Sequence, residues 1–150
     1  MKNKLNLLAI CVIAFSIVGC STLFNSSSNS AATSAGASCG KAISNLYKEY
    51  KKENKVDVTN TNTLTYIIQI AAARNVLKEN KNDAAFVSAF ALGLVSGSNN
   101  LITNATSNNV INALLSLSSL NTVTTNTPSS SSTATEAGKA VLPLMRTLEE

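Results

Sequence analysis

The chain has 150 residues, 45% of them hydrophobic, which suffices for one domain with a core; aromatics are only 5% and Trp is absent, so Ala, Leu, Ile and Val have to build that core. Charged residues are 13%, about half the usual share, and Ser, Thr and Asn take their place on the surface. A formal charge of +4 is too small for the dense basic face that nucleic acid requires, and the absence of His removes the commonest general base and the commonest metal ligand together.

Lys2 and Lys4 precede an apolar run from Leu5 to Val18, interrupted only by Asn6 and Ser16 and ending in Ile17-Val18-Gly19-Cys20. Charge, a short apolar core and a small residue, in that order, are the grammar of an export signal. The run is also short for a membrane span. Ile17 to Cys20 resembles the lipobox of bacterial lipoproteins, with Ile17 where Leu is commoner. The resemblance implies transfer of a diacylglyceryl group to the Cys20 sulfur, cleavage before Cys20 and, usually, acylation of the new amino group. Residues 1–19 are then a signal peptide and the mature protein is held to a membrane by its lipid, each buried methylene adding about 0.8 kcal/mol. An ordinary secretory leader with an incidental cysteine is the alternative. Ser21 follows, and in lipoproteins of two-membrane envelopes a serine there goes with the outer membrane, facing the periplasm. Cys11 leaves with the leader and Cys20 takes the lipid, so only Cys39 remains as a thiol and no disulfide forms within the mature chain.

Residues 20–38 are expected as a lipidated cysteine and a flexible tether of Ser, Asn, Ala and Gly, too poor in large apolar residues to fold. From residue 39 to 150 the pattern is helical. Cys39, Ile43, Leu46, Tyr47 and Tyr50 share one face of a first helix over about 39–54. The stretch 57–62 reads as a turn with capping residues. Leu64, Ile67, Ile68, Ala71 and Leu77 mark a second helix over about 62–79, despite the strand preference of Thr63, Thr65 and Tyr66. Asn82 or Asp83 caps a third, about 83–97, so apolar on all sides that it belongs at the centre of a bundle, with Gly97 ending it in the usual glycine manner. A connection at 101–106 leads to a fourth helix over about 107–120, carrying Val110, Ile111, Leu114, Leu115 and Leu117. A polar loop at 121–132 precedes a fifth over about 134–149, opened by a capping-box spacing from Thr133 to Glu136 and kinked or loosened by Pro143. The expected fold is all-α, a single small bundle of about five helices after the tether.

The chemistry-bearing groups are sparse. Cys39 is either a nucleophile at a helix start, where the dipole lowers a thiol pKa, or a small apolar residue packed under Leu46 and Tyr47; with no histidine to activate it, packing is the better reading. Asp57, Asn60 and Asn62 offer oxygens to a cation but lack the glycine and distal Glu of a calcium loop, which favours a capped turn. Gly93 and Gly97, four apart, admit a closely packed neighbour, in a bundle rather than as a dimer in lipid. Tyr47, Tyr50 and Tyr66 line a ligand groove or pack at bundle edges. The sequons at Asn25 and Asn104 carry no information for a bacterial export route. No metal site, cofactor loop or catalytic set emerges.

Cys39-Gly-Lys-Ala with Leu46-Tyr-Lys-Glu-Tyr-Lys, and Gly97-Ser-Asn-Asn-Leu, are similar to segments of small helical lipoproteins of Bacteroidota whose function is unassigned. The similarity implies a lipid-anchored helical domain and carries no site residue. The expectation is a non-enzymatic envelope protein that binds a partner protein, a polymer or a small ligand. The alternatives are a hydrolase or transferase using Ser with a buried Lys (Lys78, Lys81 or Lys139), and a spacer at the membrane surface.

Overall fold

The computed structural model describes residues 28–117, 120 and 131–150. Among them are five helices and no strand: α1 (Ser28–Glu53), α2 (Thr61–Glu79), α3 (Ala84–Gly97), α4 (Asn104–Ser116) and α5 (Ser131–Thr147). The export signal, Cys20, the tether as far as residue 27 and most of the 121–132 loop lie outside the described residues.

The helix ends follow from local chemistry. Asn60 is extended and its side chain accepts from the Asn62 N–H, opening α2. Asp83 does the same for α3 through the amides of Ala85 and Phe86, as expected of that residue. Thr103 opens α4 in a reciprocal box with Thr106, starting this helix three residues earlier than its apolar pattern alone indicates. Helix α4 ends at Ser116, short of the expected 120, although Leu117 and Leu120 still bury themselves in the core. Helix α5 starts at Ser131, which puts Thr133 inside the helix instead of at its cap, and runs on through Pro143, exposed on the outer face.

Helix α1 corrects the tether. It begins eleven residues before Cys39, and Ala32 and Gly36, expected to stay unfolded, join Cys39 and Gly40 on its buried packing face. Side-chain size is the wrong criterion here, because two backbones meet almost directly. A methyl on Gly36 would lie 2.9 Å from the amide nitrogen of Leu94, and one on Gly40 3.0 Å from that of Ser98. Reciprocally, a methyl on Gly93 would lie 2.8 Å from the Thr33 carbonyl carbon, and one on Gly97 2.7 Å from that of Ala37. The pairing rises in the same direction on both helices, so α1 and α3 run parallel, with α2 returning between their ends. This is the most extensive helix contact among the described residues.

Helix α3 is not the central helix that its apolar sequence suggested. Its inner face (Phe86, Ala89, Phe90, Gly93, Leu94) packs on α1 and α4, while Ser88, Leu92 and Ser96 face outward, Leu92 with 62% of its surface exposed. Helix α2 is better enclosed, touching α1, α4 and α5 and burying Ile67, Ile70, Ala71, Ala73 and Leu77. Nor does Gly97 end α3 with a left-handed turn. No glycine among the described residues has a positive φ; that conformation falls to Asn99 (53°) and Asn100 (68°), just as Asn54 (54°) ends α1. Asn reaches the left-handed region by bonding its own backbone, leaving Gly97 for the helix crossing. Ser98, wholly buried, then pins the α3–α4 connection: its hydroxyl donates to the Val95 carbonyl at 2.9 Å and accepts from the Ile102 amide at 3.0 Å.

Candidate functional site

Arg74 is the most constrained charged group among the described residues. It lies on the apolar face of α2, one turn beyond Ile70, and is 2% exposed. Its Nε donates to the Leu114 carbonyl at 3.0 Å and its Nη1 to the Asn75 side-chain oxygen at 3.3 Å. The Leu114 carbonyl is one of the last four of α4, which lack the usual helical partner four residues on. A guanidinium there supplies a donor and complements the negative end of the α4 dipole. Arg74 therefore couples α2 to the end of α4. Sequence reasoning misses it; the signal available is an arginine in phase with Ile67, Ile70 and Leu77.

Cys39 sits well inside α1 and is fully buried, so the helix-start argument for a reactive thiol does not apply. Burial pushes its pKa from the ordinary 9.0 up to about 12, because a thiolate in this apolar setting has lost its hydration. The packing role is the one the geometry supports. We expect Cys39 to resist alkylation in the folded protein and to react once urea unfolds it, as read by peptide mapping after labelling. Because the folded pKa is the higher one, the thiol's contribution is complete below pH 9.0 and is lost as the pH rises towards about 12, where the unfolded chain ionises first.

The turn around Asp57 uses its oxygens internally. One Asp57 carboxylate oxygen accepts from the Thr59 hydroxyl at 2.6 Å and the Thr59 amide at 2.9 Å, while Asn60 caps α2. Those two bonds, with nearby Lys55, hold the Asp57 carboxyl below its usual range. No group of three or more His, Cys, Asp or Glu that could hold a metal occurs among the described residues.

Of the three tyrosines, Tyr47 and Tyr50 stand together with ring centroids 6.3 Å apart and the Lys51 ammonium 5.9 Å from the Tyr47 ring. Tyr66 is half-buried on α2 against the core. Lys78, Lys81 and Lys139 are all exposed, and Lys139 pairs with Glu136 at 3.3 Å. None of them is the buried lysine that a Ser–Lys dyad requires. Around the end of α1 the lysines are likewise matched: Lys51 with Glu149, Lys52 with Glu49 and Lys55 with Glu53, at 3.0–3.4 Å.

Gly93 and Gly97 do receive a close neighbour, as their spacing indicated, and it is α1 of the same chain. Their partners Gly36 and Gly40 carry the same four-residue spacing, which is the sequence signal for extending α1 backwards. No helix among the described residues is long and apolar enough to cross a membrane. No protein-family model, curated protein or solved structure matches the chain.

Proposed function

We propose that this chain is a lipid-anchored protein of the bacterial envelope, held through acyl groups such as palmitate on Cys20, and that its helical domain is a binding or interaction module and not a catalyst. One observation carries the reading: two lysines, a short apolar run and Ile17-Val18-Gly19-Cys20 stand in the order that lipoprotein processing requires. The absence of His and the exposure of Lys78, Lys81 and Lys139 support the non-enzymatic part. Outer-membrane placement facing the periplasm, implied by Ser21, and kinship with helical lipoproteins of Bacteroidota belong to the same proposal.

Mass spectrometry of the full chain expressed in a bacterial host tests it. The expected product begins at Cys20 with the mass of two or three acyl chains, and Cys20→Ala is expected to accumulate uncleaved and unacylated. An unmodified Cys20 sulfur in the wild-type product overturns the proposal.

A further inference from the structure

The end of the bundle that meets the bilayer can be assigned, given the anchoring proposed above, on which this inference rests. Helix α1 runs without a break for 26 residues, and its first residue, Ser28, is eight positions after Cys20. Eight residues reach at most about 28 Å when fully extended. A 26-residue helix is about 39 Å long. An inverted domain, with α1 pointing back at the membrane, would therefore drive the far end of α1 into the bilayer even on a fully stretched connection.

Lying sideways gains little from the surface chemistry. The lysines on and just after α1 are the cations placed to seek anionic headgroups, but Lys51, Lys52 and Lys55 are each paired with a carboxylate, which cancels their attraction. Lys41 and Lys48 are exposed along the same helix, and two cations fall short of the about four to eight that make a headgroup-binding cluster. On the opposite flank, Leu92 is a single exposed apolar residue between Ser88 and Ser96, which is no apolar patch.

We infer that the domain stands end-on. The start of α1 and the α2–α3 turn at 80–83, brought to the same end by the parallel register of α1 and α3, face the lipid headgroups. The turn at 54–60 is carried to the opposite end, about 39 Å away along α1, while the turn at 98–103 lies beside Gly40, about 18 Å from the start of that helix. Near the bilayer, Lys78 and Lys81 are balanced by Glu79 and Asp83, so the short connection and not charge sets the orientation.

The test uses the acylated full-length product in vesicles of phosphatidylethanolamine and phosphatidylglycerol carrying a nitroxide on a fraction of the headgroups. A fluorophore is placed at Lys81→Cys, Lys55→Cys or Ser96→Cys, all exposed sites. Quenching is expected to be several-fold stronger at position 81 than at 55 or 96. Equal quenching at 81 and 96, or stronger quenching at 55, overturns the end-on arrangement while leaving the anchor intact. Loss of the acyl mass from Cys20 in the same sample overturns the anchoring proposal and this inference together.

Discussion

Gly97→Ala is expected to destabilise the protein by about 2 kcal/mol, the cost of overpacking against backbone, up to about 3 kcal/mol, outweighing alanine's advantage of about 1 kcal/mol as a helix former. Local preference and tertiary packing pull in opposite directions at this residue, and the magnitudes decide between them. The new methyl would lie 2.7 Å from the Ala37 carbonyl carbon and 2.8 Å from its Cα, both backbone atoms. A flexible side chain can rotate away from such a contact; a helix backbone has to translate, and α1 cannot do so without opening the contacts that Gly36 and Gly40 make on the same face. Gly36→Ala meets the backbone of Phe90 and Leu94 and is expected to behave alike. Ser96→Ala, one residue away on the outer face of α3, is the control and should stay within about 0.5 kcal/mol of wild type. Urea unfolding with an unchanged slope checks all three. A Gly97→Ala protein as stable as Ser96→Ala would mean that α1 and α3 are further apart than the glycine contacts require.

Arg74→Ala should cost about 3 kcal/mol or more, from two sources. Truncating a long buried side chain leaves a cavity, typically worth about 2–5 kcal/mol for a chain of Met or Leu size. The Leu114 carbonyl also loses its charged donor. Arg74→Met separates the two, since it keeps most of the volume and removes the guanidinium. That carbonyl still receives the Leu117 amide at 3.2 Å, so the methionine variant is expected to cost only about 1 kcal/mol. Discarding a desolvated cation partly offsets the lost bond. Urea unfolding of both variants measures the difference. If Arg74→Met proved as damaging as Arg74→Ala, the charge at the end of α4 would matter more to stability than the filled volume.

The legible parts of this fold are those where large apolar residues repeat at helical spacing. Cys39, Ile43, Leu46 and Tyr50 on α1, and Ile67, Ala71 and Leu77 on α2, are buried as their spacing indicated. Caps are legible too, because an Asp such as Asp83 before an apolar run has one efficient use. The failures share a cause. Hydrophobic patterning weighs side chains, and the α1–α3 crossing is made by their absence, so Ser28 to Ser38 read as tether and α3 reads as central. Gly97 misleads for the same reason, its lack of a side chain serving contact with α1 and not chain reversal. Arg74 escapes notice because charge argues for the surface, whereas position along α2 argues for the core, and position wins. Of the functional reading, the proposed lipidation at Cys20 rests on sequence alone, as a linear motif that enzymes would read before any fold exists. A recognition surface is not legible in this way, since recognition depends on shape that no linear pattern encodes.

The notched crossing also has a mechanical side. Because α1 is one unbroken rod from Ser28 to Glu53, any pull arriving from its N-terminal side acts along its axis. The parallel contact with α3 then resists as a lap joint does, by sliding four glycine notches against backbone all at once, and not by peeling one residue after another. A protein built this way should yield abruptly under load instead of fraying from the end at which it is held.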